Sequence, residues 1–287
     1  MFVPAGAGGR LLWFNKDCDW ADEEYGLVGL VVGLAVYSGV ILDVPFPLAV
    51  FRKLLGLDLS LRDLADLDPE LLQGLEKLRD YTGDDVEDVF CLSFQVTWDD
   101  LGFSRSYTLK PGGEEEPVTS ASRGEYIHLY SRFILVDSVV RQFDCFNAGF
   151  YRVMGGSSIS LLRAEELELL VSGTPQLNMR DLEEAAKYEG GFDSSHPTVQ
   201  RFWEVVRGMS LEDQRNLLMF VTGSKRAPLG GLLHMHFKIQ RAGPDTDQLP
   251  TAHTCFNTLM LPDYSSAEKL KRSLSIAITE CEGFGLK

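Results

Sequence analysis

A sixteen-residue run, Leu27 to Leu42, carries no charge and contains the small-residue spacing Gly29-x-x-x-Gly33. Such a stretch folds either across a membrane or as a helix enclosed by other apolar surface. It falls short of the roughly 20 residues needed to cross a hydrocarbon core. Acidic residues also close both sides, Asp22-Glu23-Glu24 before it and Asp43 after it. The run therefore predicts a helix buried in a globular core and no membrane partner. The prolines of Asp43-Val44-Pro45-Phe46-Pro47 stop that helix.

A chain of 287 residues exceeds what one compact core usually encloses, so two domains are expected. Charge marks where they divide. Residues 1–176 carry 28 acidic against 14 basic residues, and thus −14 of the total −15. The turn signal Gly173-Thr174-Pro175-Gln176 ends a helical pattern at the same place. An acidic surface repels phosphate backbones and excludes nucleic acid as a partner, while it steers basic proteins toward itself. Five scattered cysteines without a CxxC pair fit neither a disulfide framework nor a metal site, and they indicate a reducing compartment, the cytoplasm with the nucleus as second choice. No cofactor motif is present: Gly230-Gly231 lacks the preceding strand and the following GK[ST] of a phosphate loop.

Along the N-terminal part, Asp68-Pro69-Glu70 is a helix start with an N-cap aspartate and proline at the first position. The helix it opens places Leu71, Leu72, Leu75, Leu78 and Tyr81 on one side, as core or as the wall of a groove. Val89–Val96 and Tyr107–Leu109 read as strands. From Glu125, apolar residues at three- and four-residue steps through Phe146 predict one long helix. In the C-terminal part, helices are expected over 178–188, 199–208, 211–221 and 268–279, with a strand over 235–239.

The stretch that carries chemistry is Leu249 to Pro262, LPTAHTCFNTLMLP. Cys255 stands where a polar loop, with His253 and Thr254, meets an apolar strand-like run from Phe256 to Leu261. A thiol there can be exposed and fixed together, as a nucleophile needs. The same residue also fits a small core hydrophobe, and the local pattern leaves both open.

LPTAHTCF at 249–256, LPDYSS at 261–266, EKLK at 268–271 and GFG at 283–285 together resemble the C-terminal lobe of HECT-type ubiquitin-protein ligases. GLAVYSGVILDVPFP at 33–47, LYSRFIL at 129–135, LELLVSG at 167–173, FWEVV at 202–206 and TGSKRAPLGG at 222–231 extend the resemblance in order over nearly the whole chain. It implies an α+β, bilobal fold: a mostly helical N-terminal lobe at 1–172 with a small α/β conjugating-enzyme-binding subdomain at about 60–125, a hinge at 173–176, and a smaller α/β C-terminal lobe at 177–287 carrying the catalytic cysteine. It also implies an N-terminal lobe that starts roughly 60 residues late and is less well supported.

By that resemblance, Cys255 accepts ubiquitin from a conjugating enzyme as a thioester and passes it to a lysine of a protein substrate. His253 is a candidate for proton transfer. Thr254 is an orienting residue, and the backbone amides after Cys255 are oxyanion donors. Phe284 matches the family's aromatic fourth from the end, implicated in lysine transfer, or simply anchors the tail. Leu75, Leu78 and Tyr126 match the conjugating-enzyme groove. Two other classes stay open: a non-catalytic module that binds conjugating enzymes or ubiquitin, and a cysteine hydrolase whose histidine base comes from elsewhere in the fold.

Overall fold

The computed structural model describes residues 1–18, 21–100 and 102–280. The fold is α+β. It divides into two compact units, residues 1–37 with 44–168, and residues 38–43 with 169–287.

The first unit opens with a hairpin of β1 (Phe2–Ala5) and β2 (Leu11–Phe14), in register Phe2↔Phe14. The apolar run becomes α1 (Asp22–Ser38), with its three acidic residues in the first turn, where the helix dipole favours them. It ends four residues before Leu42 because Gly39 takes a left-handed conformation, φ 66°. Next come α2 (Leu48–Leu54), α3 (Leu64–Leu67), α4 (Pro69–Asp80), α5 (Val86–Phe90), and a hairpin of β3 (Gln95–Asp100) and β4 (Phe103–Thr108). The expected helix from Glu125 is two helices, α6 (Arg123–Leu135) and α7 (Val140–Val153). Val136 leaves helical geometry at φ −129° and breaks it, although the apolar periodicity runs on through the break. Helix α8 (Ala164–Ser172) follows, its last four residues, 169–172, falling in the second unit.

The glycines of α1 explain why so apolar a helix is enclosed on one side. A Cβ on Gly29 would lie 1.9 Å from the Phe146 carbonyl oxygen, and one on Gly149 would lie 1.9 Å from that of Gly26. Helices α1 and α7 thus touch backbone to backbone, which only glycine permits. Phe14, Phe46, Phe143 and Phe146 form an aromatic cluster beside this crossing. Leu27, Val31, Leu34 and Tyr37 remain exposed on the other face of α1. No described helix is long and apolar enough to cross a membrane.

The second unit contains α9 (Met179–Ala185), β5 (Lys187–Glu189), α10 (Pro197–Arg207), α11 (Leu211–Thr222), β6 (Lys238–Arg241), β7 (Thr251–His253), β8 (Thr258–Leu261) and α12 (Ala267–Glu280). Its sheet has the order β5-β6-β8-β7, parallel except for β7, which runs antiparallel to β8. Leu259 and Leu261 of β8 are fully buried and share one core with Phe202, Trp203, Leu217, Leu218 and Leu274. Gly173 and Thr174 are held in this unit, with reciprocal backbone bonds joining Thr174 to Ala227 at 2.7 and 2.9 Å. Residues 38–43, read from the sequence as part of the N-terminal portion, also belong here, and the Leu42 amide donates to the Val171 carbonyl at 2.8 Å.

Candidate active site

Cys255 lies in the turn of a β-hairpin. The sequence reading put it at a loop-to-strand junction; in the structure the preceding polar residues already form strand β7, and the following strand starts only at Thr258. Three cross-strand pairs, Thr251↔Met260, Ala252↔Leu259 and His253↔Thr258, fix the register. Between the strands, Thr254, Cys255 and Phe256 make a single 3-10 turn.

Asn257 closes that turn in the left-handed region, φ 48°. Asparagine tolerates this conformation better than most residues. Its N–H donates to the Thr254 carbonyl at 3.3 Å, and its own carbonyl accepts from the Lys238 amide at 3.0 Å, tying the turn to central strand β6. The Thr258 hydroxyl donates to the Phe256 carbonyl at 3.1 Å. The sequence signal for this turn is an asparagine directly before the apolar run Thr258–Leu261.

This geometry fixes the backbone and leaves the side chains open. His253, Thr254, Cys255 and Phe256 are all exposed, Phe256 to 72%. Among the described residues, none of the Cys255 thiol, His253 imidazole and Thr254 hydroxyl forms a hydrogen bond with another residue, so no base–thiol dyad is assembled around the sulfur. Such an arrangement suits a reaction in which a second protein brings the electrophile. Phe284 lies outside the described residues. No described group of three or more His, Cys, Asp or Glu side chains could hold a metal ion.

Leu75, Leu78 and Tyr126, expected to line a groove, are interior. Leu78 is 1% exposed and Tyr126 3%. Tyr126 packs edge-on against Phe94 with ring centroids 5.6 Å apart, and burial pushes its phenol pKa up to about 12. The Arg123 guanidinium donates to the carbonyls of Leu78 and Tyr81 and pins α6 to the end of α4. These three residues are thus the packed interior between α4 and α6. Val89 and Tyr107 are apolar residues exposed in the same part of the chain.

A family profile described as HECT-domain (ubiquitin-transferase) matches residues 1–287. The chain belongs to the HECT-domain family. It is 42% identical over 290 residues to the probable E3 ubiquitin-protein ligase HECTD2 of Mus musculus, covering 96% of this chain and 37% of that protein. Identity is 38% over 277 residues to the probable E3 ubiquitin-protein ligase HERC3 of Homo sapiens, covering 96% of this chain and 26% of that protein. With the probable E3 ubiquitin-protein ligase HUL4 of Eremothecium gossypii it is 40% over 273 residues, covering 93% and 32%. This HECT-domain chain therefore spans between 26% and 37% of the length of these relatives.

Proposed function

We propose that this chain is a ubiquitin-protein transferase, which accepts ubiquitin from a conjugating enzyme on Cys255 and transfers it to a lysine of a protein substrate. The observation that carries this reading is an exposed cysteine in an anchored hairpin turn, within a chain that matches the HECT-domain family from end to end. In the first step the Cys255 thiolate attacks the carbonyl carbon of the donor thioester. One C–S bond forms, another breaks, and the conjugating enzyme's sulfur leaves as thiolate. Exchange between thioesters is nearly thermoneutral, so the protein's task is to position the sulfur.

In the second step a neutral lysine amine attacks the same carbon. A C–N bond forms, Cys255 leaves as thiolate, and the nitrogen gives up a proton. A free lysine has a pKa of about 10.4, so supplying the neutral amine is the harder demand. His253 is the nearby proton acceptor in this reading, and Thr254 orients the turn. The backbone amides after Cys255 are the oxyanion donors in this reading, and because the Asn257 amide is bound to the Thr254 carbonyl, the turn has to loosen for it to serve. Phe284 is assigned to the lysine-transfer step.

The domain assignment belongs to the same reading: lobes at 1–172 and 177–287, a hinge at 173–176, and a conjugating-enzyme-binding subdomain at about 60–125. The docking groove lies over α4 and α6, with Leu75, Leu78 and Tyr126 as its buried floor rather than its contact surface. Ubiquitin, a conjugating enzyme and a protein substrate are the partners, and the cytoplasm is the compartment.

The deciding experiment incubates the chain with activating enzyme, conjugating enzyme and ubiquitin, and follows a reductant-sensitive adduct. Cys255→Ala is expected to abolish it, and an adduct that survives this change overturns the assignment. Phe284→Ala is expected to spare the adduct and slow its discharge to lysine. Equal loss of both steps would make that residue a structural anchor.

A further inference from the structure

The hairpin that carries Cys255 has a weak point. Its first strand, β7, is three residues long, lies at the sheet edge and pairs on one side only. It follows a nine-residue connection, 242–250, that contains no strand of its own. Short edge strands entered from long loops fray readily, so something must hold the open end of the hairpin if the turn is to stay in place.

Tyr264 stands at that end. It lies three residues beyond β8 and is 0% exposed. Its hydroxyl donates to the Gln248 carbonyl at 2.5 Å, seven positions before Cys255. A side chain on the outgoing segment thereby fastens the incoming segment. The backbone adds two nearby ties, Ala242 N–H to the Leu261 carbonyl at 2.9 Å and Asp263 N–H to the Gly243 carbonyl at 3.2 Å.

Tyr264 is itself held from α10. Arg201 donates to its carbonyl at 2.9 Å, while the Thr198 hydroxyl and the Arg241 guanidinium bind the neighbouring Asp263 carboxylate at 2.5 and 2.7 Å. Its ring belongs to the same core as Leu270 and Leu274 of α12. Burial raises the phenol pKa, so the hydroxyl stays protonated and able to donate.

We infer that Tyr264 is a positioning residue for the transfer reaction, a tie across the open end of the β7–β8 hairpin that holds the Cys255 turn. The inference rests on the proposed role of Cys255, but it makes a claim about the hairpin that can be tested without ubiquitin. Tyr264→Phe removes one oxygen and keeps the ring in the core. Amide hydrogen exchange measured on this variant is expected to rise about tenfold over 249–257, the effect of losing one hydrogen bond on a local opening. Exchange in α12 and β6 is expected to stay within about twofold.

In the thioester assay, the maximal rate of adduct formation is expected to fall about fivefold, with the half-saturating concentration of charged conjugating enzyme unchanged. Tyr188→Phe is the control, because it removes a comparable hydroxyl, the acceptor from Trp203 Nε1, at the far edge of the sheet. It is expected to leave exchange over 249–257 unchanged. Unaltered exchange at 249–257 in Tyr264→Phe, or a uniform rise across α12 and β6 as well, would overturn the inference. Survival of the adduct in Cys255→Ala would defeat the proposed nucleophile alone, since the exchange measurement does not depend on it.

Discussion

Cys91 and Cys255 are both exposed cysteines, and each turn that holds one contains a left-handed residue. Among the described residues, Cys91 at φ 49° and Asn257 at φ 48° are the two non-glycine positions in that region. The resemblance ends there. Cys91 is itself the strained residue: it caps the C-terminus of α5, its amide donates to the Glu87 carbonyl, and its thiol donates to the Asp88 carbonyl at 3.3 Å. In the hairpin, Asn257 takes the strained conformation two positions after Cys255, and the sulfur makes no such bond. Exposure therefore does not by itself separate the proposed nucleophile from Cys91. The two differ in that the Cys91 thiol is engaged with its own turn while the Cys255 thiol is not.

The largest effect that would break this comparison is in adduct formation. Cys91→Ala is expected to retain the full reductant-sensitive adduct while Cys255→Ala loses it by more than roughly 100-fold, read on non-reducing gels. An intermediate effect concerns the residue that shapes the turn. Asn257→Val forces a β-branched side chain into the left-handed region at a cost of about 1–2 kcal/mol, and adduct formation is expected to slow five- to tenfold. Asn257→Gly keeps the conformation available and is expected to stay within about twofold of the parent rate. If valine is tolerated as well as glycine, the left-handed residue does not set the position of Cys255.

A smaller effect separates the caps. Cys91→Gly relieves the left-handed cysteine at the helix end and is expected to raise stability by up to about 1 kcal/mol, seen as a higher denaturant midpoint, with adduct formation unchanged. A fall in stability would mean that the thiol's bond to Asp88 outweighs the strain.

What could be read from the chain in advance follows residue chemistry more than register. The core helix at α1 was legible because a run without charge has few places to go, and its end was missed because Gly39 punctuates it before the apolar residues stop. Periodicity in α6 and α7 was correctly read as helical, yet it carries no trace of the break at Val136, since three- and four-residue steps can resume after a kink. Strand β5 was absorbed into the helix before it, because three residues are too few to show alternation. For the site, residue identity brought attention to Cys255. Hydrophobicity alone placed Phe256 in a strand, whereas the structure turns it outward. Leu75, Leu78 and Tyr126 teach the converse, because an apolar stripe shows that a face is covered without showing what covers it.

Among the described residues no side chain covers the Cys255 sulfur, so the acyl group proposed to sit there is open to water as well as to an amine. In the proposed reaction the thioester therefore has a finite lifetime of its own, with free ubiquitin released slowly when no lysine is at hand. Yield per turnover would then depend on how quickly an acceptor arrives. On the proposed reading, Cys255 is a brief stopover for ubiquitin rather than a store.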